Sequence, residues 1–188
     1  MLKIPVGISN RHAHLTQKEI EALFGEGYQL TFFRKIKQPD EFVSNEKILV
    51  VGPKGSLRDV RIMGPPRAKS QIEMTLTNAK DIGVRANIRV SADVENTEGV
   101  KLVGPKGEVD LKKGVIAAFR HLHMTPEEAE QLKLKDRQQV NIETKGERGV
   151  IFKNVIVRID PLYSLEFHID TDEANGAGVN PDDEVFLV

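Results

Sequence analysis

Clusters of glycine and proline interrupt the 188-residue chain at short intervals and leave little room for long helices. Between these turns, which include the ANGAG sequence at 174–178, lie short runs rich in β-branched and aromatic residues, which favour strands. The predicted strands cover 47–51, 59–63, 86–90, 100–103, 139–143, 150–159, 165–169 and 184–188. A parallel α/β sheet would need a helix of roughly 10–15 residues between successive strands. The short spacing of these glycine and proline turns therefore predicts a mainly β protein with a barrel or sandwich architecture.

Three segments carry the signals of short helices. Residues 16–25 begin with Thr16 as an N-cap and place apolar side chains on one face. Residues 125–133 begin with Thr125 in the same role, and the proline that follows suits the first turn of a helix. A third helix is predicted over 71–82.

Four of the five histidines lie in two similar hexads, RHAHLT at 11–16 and RHLHMT at 120–125. In an extended chain, side chains at positions i and i+2 point to the same face, so each pair of imidazoles can bind one metal ion. The residue between them, Ala13 or Leu122, would then pack into a core. Because each hexad leads into a capped helix in the same frame, we predict two similar subdomains that arose by duplication. The sequence VGPKG, which also occurs twice, favours the same interpretation.

The chain contains no cysteine, so a metal ion would be bound by nitrogen and oxygen ligands. Zinc accepts neutral imidazole and carboxylate ligands, usually four in all, and a catalytic zinc keeps one position open. The fifth histidine, His168, shares a strand face with Glu166 and is an additional ligand for one of the two pairs. The other pair needs a carboxylate, and 28 acidic residues compete for that place. Glu73 is one candidate because it lies in the apolar setting QIEMTL, but spacing alone does not choose.

Arg67 follows the MGPP turn at 63–66 and lies just before this apolar segment, which begins at Gln71. A planar guanidinium can bind a phosphate or a carboxylate with two parallel hydrogen bonds. Arg67 is therefore the candidate residue for binding an anionic substrate.

The overall composition excludes several classes of partner. With 27 basic and 28 acidic residues the net charge is −1, so neither nucleic acid nor an anionic membrane surface is expected as a partner. No run of 18 apolar residues exists that could span a membrane, and the N-terminal segment is too polar for a secretory signal. We therefore expect a cytoplasmic protein.

The motifs RHAHLT, GPPRAKSQIE, VGPKG, RHLHMT and LEFHIDTDEANGAG together resemble the PduL-type phosphate propanoyltransferase family, which are zinc-dependent phosphotransacylases. The resemblance covers nearly the whole chain. It implies reversible transfer of an acyl group from an acyl-CoA, such as propanoyl-CoA or acetyl-CoA, to phosphate, which gives acyl phosphate and coenzyme A. It also implies two β-barrel subdomains capped by short helices, and a homodimer.

The resemblance assigns two zinc ions to each chain, one at each histidine pair, in a dinuclear site. The implied ligands are His12, His14 and Glu73 for the first ion, and His121, His123 and His168 for the second. The open position of the first ion would face the sulfur of coenzyme A. Arg67 would be the catalytic residue that binds phosphate.

The family pattern further implies that the two subdomains interleave along the chain. Subdomain one would comprise residues 1–10 and 119–188, and subdomain two residues 11–118, with 25–45 as a small inserted excursion. Microcompartment members of the family often carry an N-terminal encapsulation extension. This chain begins only a few residues before its first strand, so the cytoplasm is expected rather than a microcompartment lumen.

One departure from the family pattern concerns loop shape, because SAD at 91–93 replaces the common SGD.

Two other functions stay open from the sequence alone. A zinc-dependent ester or phosphate hydrolase would use the same ligands together with a free general base near the metal. A non-enzymatic protein would use the histidines only for structure or metal storage, and would need neither an open metal position nor Arg67.

Overall fold

The computed structural model describes residues 3–37, 40–181 and 183–188. This part of the chain forms fifteen strands and four helices. In chain order they are β1 (Lys3–Ser9), β2 (His12–His14), α1 (Gln17–Phe24), β3 (Phe32–Lys35), β4 (Phe42–Val51), β5 (Ser56–Gly64), β6 (Gln71–Glu73), α2 (Leu76–Ile82), β7 (Asn87–Arg89), β8 (Val100–Val103), β9 (Glu108–Leu111), β10 (Val115–Ala118), β11 (His121–Met124), α3 (Pro126–Leu132), β12 (Gln139–Glu143), β13 (Ile151–Ile159), β14 (Glu166–Asp170), α4 (Thr171–Ala177) and β15 (Glu184–Leu187). The mainly β prediction is confirmed, and each predicted strand coincides with or overlaps a strand of the structure.

The chain divides into two compact units, each with its own sheet and core. Unit 1 comprises Met1–Ser9, Lys37–Pro39 and Phe119–Val188. Unit 2 comprises Asn10–Ile36 and Asp40–Ala118.

Unit 1 is a closed six-stranded barrel with the strand order β1-β14-β11-β13-β12-β15, in which β15 pairs back onto β1. Strand geometry sends alternate side chains to the inside and the outside of the barrel. The inward positions are apolar and fully or almost fully buried, and the largest of them include Ile4, Leu122, Met124 and Phe167.

Unit 2 contains a nine-stranded sheet in the order β7-β10-β6-β2-β5-β4-β8-β9, with β3 paired to β4. Its core again comes from alternate strand residues, together with the apolar faces of α1 and α2. The largest fully buried side chains of this core are Leu15, Ile20, Leu23, Ile62, Ile72, Ile82 and Leu102.

Two of the predicted helices are confirmed. Helix α1 follows Thr16, whose side chain accepts a hydrogen bond from the Glu19 backbone N–H. Helix α3 follows Thr125, which forms a reciprocal capping box with Glu128. No helix within the described ranges combines the length and the apolar character that crossing a membrane requires.

The predicted helix over 71–82 is wrong for its first residues. Gln71–Glu73 forms the strand β6 because it pairs with β2 on one side and β10 on the other. The helix begins only at Leu76, after Thr75 caps it.

The helix α4 was not predicted, because its last residues belong to the ANGAG sequence and indicate a turn. The helix forms because a capping box between Asp170 and Glu173 stabilises its first turn, and it then continues through Gly176.

The two VGPKG sequences form the tips of the β4–β5 and β8–β9 hairpins. The backbone N–H of Lys54 donates to the Ile82 carbonyl at 2.9 Å, and that of Lys106 donates to the Leu23 carbonyl at 3.0 Å. Each tip therefore satisfies a carbonyl at the end of a helix. Both copies lie in unit 2, so their repetition does not support the division into two similar subdomains.

A buried carboxylate fixes the segment between α1 and β3. Glu46 on β4 accepts hydrogen bonds from the Tyr28 hydroxyl at 2.9 Å and from the Thr31 hydroxyl at 2.7 Å. Burial alone would raise the pKa of Glu46, but these hydrogen bonds and that from the Thr31 backbone N–H outweigh it, so the pKa lies below its usual value. The ionised side chain therefore stabilises this segment of unit 2 at neutral pH.

Candidate metal centres

The same arrangement of strands surrounds each histidine pair. In unit 2, β2 lies between a parallel neighbour, β5, and an antiparallel neighbour, β6. In unit 1, β11 lies between a parallel neighbour, β13, and an antiparallel neighbour, β14. Ala13 and Leu122 are fully buried, as predicted, so the histidines on either side of each point away from the core.

Strand register in unit 2 brings a carboxylate to the first histidine pair. His12 lies directly opposite Glu73 in the antiparallel pairing of β2 and β6. The Nε2 atom of His12 is 3.5 Å from one carboxylate oxygen of Glu73, and that of His14 is 3.8 Å from the other. This unit 2 triad is the set His12, His14 and Glu73.

Strand register in unit 1 brings the fifth histidine to the second pair. His121 lies directly opposite His168, and their rings stack with centroids 4.9 Å apart. The His123 and His168 ring centroids are 4.6 Å apart. In this unit 1 triad, one ligand atom from each of the three histidines lies within 4.8 Å of the others.

Glu73 and His168 therefore occupy equivalent positions, each opposite the first histidine of its pair. The repeat also includes the hydrogen bonds that orient that histidine. The Nδ1 atom of His12 is 2.9 Å from the Asn10 carbonyl oxygen, and that of His121 is 2.7 Å from the Phe119 carbonyl oxygen. A carbonyl only accepts, so Nδ1 carries the proton and Nε2 keeps its lone pair for a metal ion.

Both triads fit a divalent ion such as zinc. Two ligand atoms bound tetrahedrally at zinc distances lie about 3.3 Å apart, close to the nitrogen–oxygen separations in the unit 2 triad. In unit 1, both ring nitrogens of His123 are buried without a hydrogen-bond partner among the described residues. Because a buried polar atom without a partner is costly, this imidazole suits a metal ligand.

The inner histidine of each pair is neutral at pH 7, as a ligand must be. Burial, together with the nearby His12 and Arg67, lowers the pKa of His14 to about 2. Burial is also the main cause that lowers the pKa of His123. Burial would lower the pKa of His12 as well, but attraction and hydrogen bonding to Glu73 raise it above its usual value.

A hydrogen-bond network orients the Glu73 carboxylate. The side-chain amide of Gln71 donates to Glu73 at 2.5 Å and to the Ser91 hydroxyl at 2.9 Å. Ser91 itself donates to the same Glu73 oxygen at 3.2 Å. The Ala92 backbone N–H donates to the side-chain amide oxygen of Gln71 at 2.6 Å, so the loop at 91–93 helps to orient the residues that hold Glu73.

Arg67, the predicted anion-binding residue, belongs to the same network. Its backbone N–H donates to the Leu15 carbonyl at 2.9 Å, which fixes the main chain at this position. Its guanidinium forms an ion pair with Glu41 and donates to the Ser91 hydroxyl at 3.3 Å. One hydroxyl therefore connects Arg67 to Glu73.

Ala92 has a φ of 76°, a left-handed conformation that glycine adopts at lower cost. We expect Ala92→Gly to raise the free energy of unfolding by about 0.5–1 kcal/mol, since relief of strain exceeds the added entropy of the unfolded chain. Chemical denaturation measures this change. Ala118→Gly, at a strand position with negative φ, is the control and should lower stability. Equal destabilisation by both substitutions would contradict the strain at Ala92.

Around the unit 1 triad the supporting groups are different. Glu166 lies opposite His123, in the position equivalent to Gln71, and its carboxylate is 2.9 Å from the His168 Nε2 atom. The ammonium of Lys37 contacts its other oxygen at 2.7 Å. Burial would raise the pKa of Glu166, but His168 and Lys37 together hold it below its usual value. Gly7 leaves room for this cluster, because a Cβ there would lie 3.0 Å from the Glu166 carboxyl carbon.

The structure thus brings all six predicted ligands into two triads and places Arg67 beside the first of them. Sequence analysis missed Gln71, Ser91 and Glu41. Gln71 precedes a ligand by two positions in a strand, and that spacing could have identified it. Nothing local in the sequence indicates Ser91 or Glu41.

The chain is similar to a well-defined set of known proteins. A family model for phosphate propanoyltransferase matches residues 5–180. Phosphate propanoyltransferase of Thermotoga maritima is 45% identical over 186 residues, which is 98% of this chain and 89% of that protein. The protein of the same name from Enterococcus faecalis is 45% identical over 93% of this chain and 82% of its own length. That of Listeria monocytogenes is 42% identical with the same coverage.

Proposed function

The chain belongs to the phosphate propanoyltransferase family of acyltransferases, and from this premise we propose that it exchanges an acyl group between coenzyme A and phosphate. In the forward direction a phosphate oxygen attacks the thioester carbonyl of an acyl-CoA. The new carbon–oxygen bond gives acyl phosphate, and the carbon–sulfur bond breaks to release coenzyme A. Propanoyl-CoA and acetyl-CoA are the proposed substrates, which differ by one methylene group, worth about 1–3 kcal/mol in a pocket.

The proposal includes two zinc ions per chain in a dinuclear site, one ion bound by each triad. The observation that supports one ion in each unit is the equivalent register of the two triads, in which His168 or Glu73 lies opposite the first histidine of its pair. Zinc bound there would supply Lewis acidity and would stabilise a thiolate leaving group.

Arg67 is the residue that we propose to bind and orient phosphate. Phosphate and coenzyme A are both anions, so an uncompensated approach would be repulsive. A guanidinium has five N–H donors in a fixed plane, and Glu41 and Ser91 engage only part of them. The ion pair and the hydroxyl contact hold the plane of Arg67 in place, and such positioning supplies several kcal/mol of a barrier of this kind.

A direct transfer without an acyl-enzyme is part of the proposal. The chain has no cysteine to form a thioester intermediate. The imidazoles are all assigned to the two triads, so none is left to activate a serine hydroxyl as a general base.

A single assay separates this function from the hydrolase alternative. Zinc-loaded protein is incubated with propanoyl-CoA, with and without phosphate, and free thiol and acyl phosphate are both measured. We expect equal amounts of coenzyme A and acyl phosphate with phosphate present, and no thiol release without it. Release of free propanoate in the absence of phosphate would instead identify a hydrolase. Family membership already argues against a non-enzymatic role.

The homodimer and the cytoplasmic location implied by the resemblance belong to the same proposal, as does the absence of nucleic acid and membrane partners. The near-neutral charge balance supports the last point. Light scattering after size-exclusion chromatography tests the dimer, and cell fractionation tests the location.

A further inference from the structure

A second arginine lies beside the unit 1 triad. Arg158 on β13 is the register partner of His123 on β11. Paired residues on neighbouring strands point to the same face of a sheet. Val157, the preceding residue, is fully buried in the barrel core, so the Arg158 side chain leaves the barrel on the face that carries the triad.

This positive charge is not a requirement of the repeated fold. The equivalent position in unit 2, opposite His14, is Met63, which is buried. The two units therefore build the same strand pattern with an apolar side chain in one case and a guanidinium in the other.

The guanidinium of Arg158 has no ion pair and no hydrogen-bond acceptor within residues 3–37, 40–181 and 183–188. The guanidinium carbon instead lies over the ring of Tyr163, 5.6 Å from the ring centroid. Tyr163 in turn stacks on the His123 imidazole, with centroids 4.0 Å apart. Arg120, in the same unit, shows the contrasting case, since it pairs with Glu173 at 2.7 Å. The N–H donors of Arg158 are thus free to bind a ligand at the triad.

We propose that Arg158 binds a phosphate group of a substrate beside the unit 1 triad, and that Tyr163 positions its guanidinium. The inference rests on the proposed function for the class of ligand, because every substrate of that reaction carries phosphate. A planar guanidinium matches a phosphate with two parallel hydrogen bonds, and the cation–π contact with Tyr163 reduces the freedom of its side chain. The phosphate group belongs either to inorganic phosphate and acyl phosphate or to coenzyme A.

Binding measurements on zinc-loaded protein test this role without relying on turnover. Calorimetric titrations use inorganic phosphate in one arm and coenzyme A in the other, for Arg158→Ala, Arg158→Lys and Tyr163→Leu. We expect Arg158→Ala to weaken the affinity for one probe about 10- to 100-fold and Arg158→Lys to restore part of it. Tyr163→Leu should weaken the same probe to a lesser degree. Arg137→Ala, whose guanidinium is 90% exposed, is the matched control and should bind both probes normally.

The arm that loses affinity identifies the source of the phosphate group. Unchanged affinity of Arg158→Ala for both probes, with zinc content and melting temperature like the wild type, would overturn the proposal. Loss of zinc together with loss of affinity would also count against it, since Arg158 would then support the triad itself. Failure of the wild type to form acyl phosphate would refute the proposed function, whereas the titrations of Arg158 variants report on anion binding alone.

Discussion

Replacing His121 with alanine is expected to remove one of the two zinc ions that we propose for each chain and to lower kcat about a thousandfold. The substitution removes an imidazole whose orientation is fixed by the Phe119 carbonyl and leaves only His123 and His168 in the unit 1 triad. Two ligands do not hold zinc well. Loss of the Lewis acid would raise the barrier by about 4 kcal/mol, which is about a thousandfold in rate. Elemental analysis and steady-state kinetics measure the two effects.

The matched control for this experiment comes from the equivalence of Glu73 and His168. His168→Glu gives the unit 1 triad the donor set of the unit 2 triad, and Glu73→His makes the reverse exchange. Both variants should keep two zinc ions, because each triad still has three ligands at the same positions. If His121→Ala retained two ions and normal turnover, the histidine pairs would have another role.

Replacing Arg67 with alanine is expected to raise the KM for phosphate about 30- to 100-fold, with a smaller change in the KM for acyl-CoA. The reason is the loss of a charge-assisted, two-point hydrogen bond, worth about 2–3 kcal/mol. Folding should change little, because the backbone bond to Leu15 remains and the ion pair with Glu41 is partly exposed, worth about 0–1 kcal/mol. Initial rates over a range of phosphate concentrations, together with thermal melts, separate binding from stability.

Arg67→Lys and Arg61→Ala complete this experiment. The lysine keeps the charge and should recover part of the phosphate affinity without the planar geometry. Arg61 lies in the same unit, but its guanidinium is already engaged by the Ser44 carbonyl at 3.0 Å and by the Phe33 ring. Arg61→Ala is therefore the control and should leave the KM for phosphate unchanged. Normal phosphate saturation in Arg67→Ala would show that another residue binds phosphate.

Local signals in the sequence predicted the elements that are defined locally. Strands β8 and β12 were predicted at their observed bounds because turn residues flank β-branched runs. The helices α1 and α3 were predicted because Thr16 and Thr125 begin them with clear caps. The helix predicted over 71–82 failed at its start because pairing with β2 and β10 overrode the helical preference of three residues.

The residues of the candidate site show the same difference between local signals and strand pairing. The i, i+2 spacing identified both histidine pairs, because that spacing is a property of any strand. The third ligands depend on which strands pair and in which register, and register is set by distant turns and by the core. The residues alone therefore left Glu73 one candidate among many, whereas the β2–β6 register places it opposite His12.

The network behind Glu73 could not be predicted for a further reason. Ser91 contacts Gln71 and Arg67 from the loop at 91–93, which turns through a left-handed residue. A glycine at this position would have predicted such a turn, but an alanine does not. Tyr163 likewise reaches His123 through side-chain packing that no spacing rule describes, and Arg158 reaches it through the register of β11 with β13.

The exchange of Glu73 for His168 between otherwise equivalent positions has an electrostatic consequence. Three neutral imidazoles leave a divalent ion with its full double charge, whereas two imidazoles and a carboxylate reduce it to a single net charge. The harder electrophile would thus arise in the barrel of unit 1, and the milder one in unit 2. A single substitution between equivalent strand positions would therefore be enough to give the two proposed metal ions different Lewis acidities.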